Sequence, residues 1–261
     1  MQKTISISCL AILIILLSEA KSLGQVQLFD GHTLNGWYTF LQDRGRDNDP
    51  LNVFTVSDGM IRISGEEWGC ITTDAEFENY KIVVEFKWGD LTYAPRLENA
   101  RDCGLLLHSR GEDGGSQGIW MHSIECQIIE GGTGDFIVVG DGSDAFQITC
   151  KVNSDPQGNH FFSLEDGHPQ TIKEGRINWY GRDPQWKDIL GFRGKQDVEK
   201  PAGEWNILEC IAYENQITVK LNGILVNKAT AVKPGKGRIQ IQSEAAEVFI
   251  RRVELTPLSD K

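Results

Sequence analysis

Asp58-Gly59 and Asn222-Gly223 each sit between two short runs in which apolar and polar residues alternate. Glycine adopts positive φ without a Cβ clash, so these pairs close two-residue hairpins. They commit the flanking runs 53–56, 60–63, 217–221 and 224–227 to antiparallel strands. The same period of two recurs in 81–88 (KIVVEFKW), 103–109 (CGLLLHS), 123–130 (SIECQIIE), 238–242 and 247–255. No long amphipathic helix interrupts them, and no repeat or Pro/Ser-rich linker divides the chain. Short strands separated by glycine turns predict an all-β sandwich or jelly roll, read as a single domain over 21–261. The stretch 175–201, rich in Trp, Arg, Asp and Gly, reads as a long loop over the sandwich, and such loops often carry function.

The first twenty residues read differently. Lys3 precedes an apolar run over 5–17, and Ser18-Glu19-Ala20 offers small residues for cleavage, the pattern of a signal peptide over 1–20. The run is short for a bilayer span, so a periplasmic or secreted product, free of the membrane after cleavage, is expected. A formal charge of −11 disfavours nucleic acid and anionic membranes as partners, because phosphates attract Lys and Arg. Cys70, Cys103, Cys126, Cys150 and Cys210 are odd in number and contain no CxxC pair. They are expected to pack as buried thiols rather than form a disulfide framework or a zinc site.

Chemistry concentrates in Glu125-Cys126-Gln127-Ile128-Ile129-Glu130. Residues two apart share a strand face, so Glu125 and Gln127 point one way while Ile124, Cys126 and Ile128 point into the core. Glu130 is out of phase and joins Glu125 only if a β-bulge intervenes near 128–129. Two carboxylates and an amide on one face could set an acid and a base around a sugar, although a solvated strand face has the same pattern. Alternation puts His108 on one face with Gly104 and Leu106, with Arg110 close behind, and puts Gln242 with Arg238 and Gln240. His122, with an ordinary pKa near neutrality, is a further candidate base. Trp68, Trp88, Trp120, Trp179 and Trp186 fall mostly at strand ends or in loops, where an indole can stack on a pyranose or simply anchor the loop. Trp205 reads as core.

There is no nucleophile elbow, phosphate loop, HExxH or dinucleotide fingerprint. The acidic positions Asp43, Asp47, Asp49, Asp141 and Asp144 lack EF-hand spacing. No cofactor is expected, and the question of a divalent cation stays open. Carbohydrate is the expected partner.

Longer phrases carry a resemblance. The run from Leu28 through Asp30-Gly31 to Trp37 resembles the opening motif of the 3-keto-disaccharide hydrolase family. Gly69-Cys70-Ile71, the segment 120–136, Gly203-Glu204-Trp205-Asn206, Leu221-Asn222-Gly223 and 237–242 are similar to its later phrases, in order. The resemblance implies a concanavalin A-like two-sheet jelly-roll β-sandwich and an activity on glycosides already oxidised at C3. A C3 ketone acidifies the C2 proton, so a base can remove it and the C1 substituent can leave by β-elimination with acid help. Hydration then completes a net hydrolysis. On this reading Glu125 and Glu130 are the expected acid/base pair. Gln127, His108, Arg110, Trp120, His122, Trp179 and Gln242 are the expected substrate contacts. The spacing Glu125-x-Gln127-x-x-Glu130 is also similar to the ExDxxE strand of retaining glucanases, with Gln in place of the middle Asp. Many family members carry a His shortly after the final Gln, where this chain has Ser243-Glu244. A classical glucanase-type glycosidase and a non-catalytic, lectin-like binding module are the alternatives, since the fold hosts both.

Overall fold

The structure, a computed structural model, describes residues 24–259; the expected signal peptide over 1–20 lies outside the described residues. In chain order the strands begin with β1 (Val26–Gln27), β2 (Trp37–Leu41), β3 (Gly45–Arg46), β4 (Phe54–Ser57), β5 (Met60–Ile63), β6 (Gly69–Thr73) and β7 (Tyr80–Thr92). Next come β8 (Asp102–Arg110), β9 (His122–Ile129), β10 (Phe136–Val139), β11 (Gln147–Ser154), β12 (His160–Phe162) and β13 (His168–Ile172). The last six are β14 (Gly175–Ile177), β15 (Asn206–Tyr213), β16 (Gln216–Leu221), β17 (Ile224–Lys233), β18 (Arg238–Ser243) and β19 (Ala246–Pro257).

These strands form a two-sheet jelly-roll β-sandwich. The larger sheet runs β12-β11-β17-β16-β15-β7-β19-β5-β4, with β1 added on β19 and β13 on β11. The smaller runs β14-β10-β9-β8-β18-β6-β2-β3. Both hairpin turns form where the dipeptides require them. Asp58 and Gly59 have φ of 52° and 74°, and Asn222 and Gly223 have 51° and 83°, two consecutive positive values that match the strands' right-handed twist.

Alternation fills the space between the sheets. Ile82, Val84, Phe86 and Trp88 of β7 and Leu208 and Cys210 of β15 meet Ile124, Cys126 and Ile128 of β9 and Ile239 and Ile241 of β18. Each large apolar side chain so buried contributes roughly 1.5–3 kcal/mol. All five described cysteines are buried and free. Trp88 belongs to this core, and its indole N–H donates to Glu199 Oε1 at 2.6 Å. Trp205 departs from expectation: it is half-buried on the surface, beneath the cationic ends of Lys87 and Arg251.

The outward face of the smaller sheet is not solvated. A second apolar cluster, Cys70, Leu106, Ile119, Trp120 and Val139 with Trp68 packed against it, covers its middle strands. Consequently β8 and β9 are buried on both faces, and Glu125 and Gln127 are only 4% and 3% exposed. The segment expected to be one loop over 175–201 opens with strand β14; no further strand appears before β15.

Candidate active site

Strand register stacks the outward side chains of β8, β9 and β18 in rows about 7 Å apart, two residues along each strand. Asp102 stands in the first row, paired with Ile129 on one side and bridged to Glu244, just past β18, on the other. Gly104, Gln127 and Gln242 make the second row, and Leu106, Glu125 and Gln240 the third. Gly104 keeps the floor low: a Cβ there would lie 2.2 Å from both Glu125 Oε1 and Gln242 Oε1. On the far side β10 pairs Ile137 with Glu125, and β14 pairs Arg176 with Ile137, which brings a guanidinium onto the same face. Trp68 and Trp120, ring centroids 6.4 Å apart, wall the resulting cleft of about 390 Å³.

Three buried or half-buried carboxyls, Asp102, Glu125 and Glu244, therefore converge in one partly enclosed space that the exposed Glu174 also lines, and the surroundings of the three differ. Asp102 receives one side-chain hydrogen bond, from Gln127 Nε2 to Oδ1, and one ion pair, with Arg96 Nη2 3.2 Å from Oδ2. Among the described residues, no hydrogen bond or ion pair reaches the carboxyl of Glu125 or Glu244. Burial pushes Glu125 up to about 8, with the nearby Asp102 charge adding to the effect and Arg176 opposing it. Glu244 is raised well above the carboxylate range, by burial and then by Asp102 and Glu125. Asp102 is raised by burial to about 7 and held below the others chiefly by Arg96 and then Arg176. Arg176 is itself fixed from behind by the fully buried Asp135 at 2.6 Å, which also binds Arg182 and the backbone N–H of Trp179. Gln242 Oε1 is buried without a donor and faces this space.

Of the expected site residues, Glu125, Gln127, Trp120 and Gln242 line the cleft. Glu130 does not. No register shift falls at 128–129, so Glu130 keeps its opposite phase. It turns under the segment after β14, where Arg101 Nη1 (2.8 Å) and the backbone N–H groups of Arg101 (3.0 Å) and Gly191 (2.7 Å) bind its carboxylate. His108 is also carried away, because the bulge in β8 lies between Leu107 and Arg110 and gives His108 a φ of 55°. Its ring packs edge-on to Tyr80, Nδ1 donates to the Pro234 carbonyl at 2.7 Å, and burial lowers its pKa to about 4. Arg110 donates to the Lys236 carbonyl outside the cleft. His122 packs on Phe146 and binds the Val139 carbonyl. Trp179 is 1% exposed and belongs to the inter-sheet core.

Sequence reasoning missed Asp102 and Arg176 and gave no role to Glu244. Asp102 was within reach, since it extends the alternation of Gly104 and Leu106 by one step. The carboxylate absent from position 127 thus enters from the neighbouring strand. Arg176 carried no such signal, because the short edge strand that aims it reads as loop.

The family profile described as the 3-keto-alpha-glucoside-1,2-lyase-like domain matches residues 24–256. The chain belongs to this family. Membership makes it a carbohydrate-active domain and accounts for the phrases shared along its length. No curated protein sequence matches it. Its fold is similar to that of a Parabacteroides distasonis protein assigned as a glycosyl hydrolase, at a TM-score of 0.54 and 17% identity over 94% of this chain and 99% of that one. A second such protein from the same organism gives 0.51 and 18%, over 90% and 100%. The β-glucanase of Bacillus licheniformis gives 0.44 and 11%, over 90% and 99%.

Proposed function

We propose that the cleft cleaves glycosides oxidised at C3, by removing the C2 proton, eliminating the C1 substituent and rehydrating the product. The observation that carries this reading is the unequal treatment of the three carboxyls. The Gln127 hydrogen bond and the Arg96 cation favour the ionised form of Asp102, while burial without donors favours the protonated forms of Glu125 and Glu244. One base and two proton carriers on a single face are the set an enolate pathway needs.

The rows suggest the roles. Over the Asp102 and Glu244 row, Asp102 takes the C2 proton and the electron pair left behind forms the C2–C3 enolate. Glu244 and Arg176 stabilise the oxygen of that enolate, one as a neutral hydrogen-bond donor and one as a charge. Glu125 rises from the third row, but its carboxyl leans back over Gly104 in the second, and from there it gives its proton to the glycosidic oxygen. The C1–O bond breaks with its electrons on that oxygen, the C3 carbonyl reforms, and a C1–C2 double bond remains. Water adding at C1, with a proton returned to C2, completes net hydrolysis. The family's description as a 1,2-lyase of 3-keto-α-glucosides agrees with an elimination across these two carbons. Trp68 and Trp120 offer apolar faces to a sugar ring. We also place this activity in the periplasm or outside the cell, in keeping with the leader pattern over 1–20.

Incubation with matched plain and 3-keto disaccharides in heavy water, followed by product NMR, tests the proposal. Cleavage of the keto sugar alone, with solvent deuterium at C2, is expected. Cleavage of the plain disaccharide, or a keto product without deuterium at C2, contradicts it. Binding of both sugars with no turnover favours the lectin-like alternative.

A further inference from the structure

Arg96 lies outside the row of cleft residues, in the connection between β7 and β8, yet a single nitrogen of its guanidinium faces three oxygens. Nη2 stands 3.2 Å from Asp102 Oδ2, 3.1 Å from Asp188 Oδ1 and 2.8 Å from the Ala100 carbonyl. Asp188 comes from the middle of the longest strand-free stretch among the described residues, between β14 and β15. It is fastened to the β7–β8 connection by more than Arg96. The Ala100 N–H donates to Oδ1 at 3.0 Å, and Asn99 Nδ2 donates to Oδ2 at 2.8 Å. Beside it, the Leu190 N–H donates to the Glu98 carbonyl at 2.8 Å.

We propose that Arg96 is a positioning residue for the cleft's base, and that Asp188 holds its guanidinium against Asp102 so that the negative charge settles there rather than on Glu125 or Glu244. The proposal rests on the reading of Asp102 as base. It gives the long segment after β14 a defined task, since docking that segment completes the charge arrangement of the cleft through one arginine. Distance decides the balance: a cation 3.2 Å from one carboxyl oxygen, with Gln127 on the other, stabilises the anion at Asp102 by direct contact, whereas Arg96 acts on Glu244 only as a more distant charge. The charged groups that act on Asp102 are Arg96 from the connection, Arg176 from β14, Glu125 from β9, Glu244 after β18, and Asp188 and Arg182 from the long segment. Arg176 is committed to Asp135, so Arg96 is the cation in direct contact.

Asp188 supplies a discriminating variant. Acting only as a nearby negative charge, it disfavours ionisation of Asp102, so Asp188→Asn would lower the Asp102 midpoint. Acting as the anchor of Arg96, its loss frees the guanidinium and raises that midpoint. Titration of the full chain labelled with ¹³C at aspartate carboxyls, with Asp102→Asn to assign the signal, reads this without turnover. The expected result is a rise of about one pH unit or more in Arg96→Met, a smaller rise in Asp188→Asn and partial return in Arg96→Lys. With a 3-keto disaccharide, the acid limb of the kcat profile should move by the same amount, with little change in KM. A fixed or lowered midpoint in Arg96→Met, or a lowered one in Asp188→Asn, in proteins whose melting curves show them folded, overturns the proposal. Absence of turnover by the unmodified chain overturns the reading of Asp102 as base but leaves the titration to decide the placement of charge.

Discussion

Glu125 and Glu130 stand on one strand and its first turn, and both are buried, yet the molecule treats them oppositely. Glu130 accepts a guanidinium and two backbone N–H groups, which fix its carboxylate in one place. Glu125 accepts from none of the described residues, leans over a glycine beside an amide oxygen that also lacks a donor, and is pushed up by burial to about 8. The first arrangement ties the segment after β14 to the edge of the sandwich. The second leaves a carboxyl unspent at the wall of a cleft. A pattern of two acids near one another in sequence cannot tell these apart; what decides is where the donors fall.

Substitutions can sharpen or break that contrast. The largest effect is expected from Glu125→Gln, which removes the proton donor for the leaving oxygen and should lower kcat on a keto-glycoside by about 10²–10⁴-fold, read by product NMR. Glu130→Gln should do the reverse. It leaves Arg101 buried beside a neutral amide and should lower stability by about 3–5 kcal/mol in denaturant unfolding, while folded protein keeps most of its kcat. Should Glu130→Gln abolish turnover in folded protein, the division between the two carboxylates collapses.

Stability against pH gives a third comparison. The folded value of Glu125, about 8, lies above its ordinary 4.5, so its contribution to stability is full below pH 4.5 and is lost as pH rises through 8. Asp102, raised from 3.8 to about 7, has the same sign. Glu125→Gln never ionises, and its Tm should match or exceed the parent's by a margin that grows from pH 5 to pH 9. A margin that shrinks over that range contradicts the burial of an unpaired carboxyl. The smallest effect is expected from Trp120→Ala, which thins the aromatic wall and should raise KM about tenfold with kcat less affected.

Much of the sandwich was legible from alternation and two glycine turns, because burial between two sheets imposes a period of two that few sequences meet by chance. Ile124, Cys126, Ile128, Ile239 and Ile241 all face the core as that period requires. The site was legible only along the strand that carries Glu125 and Gln127. Asp102 and Glu244 are separated from it in sequence and joined to it only by register, and Arg176 sits on an edge strand of three residues. His108 shows the opposite failure: the phase was read correctly, and a single residue at positive φ turned the side chain through the sheet. Alternation predicts faces, but bulges and neighbouring strands decide which residues share one.

The most direct test of a C2 deprotonation performed by this cleft is a comparison of turnover of a 3-keto disaccharide carrying hydrogen or deuterium at C2. The deuterated sugar should react several-fold more slowly under conditions where chemistry limits the rate, because the C2–H bond breaks before the glycosidic bond. Equal rates under those conditions, with the glycosidic bond still cleaved, would contradict that order and point to direct displacement at C1.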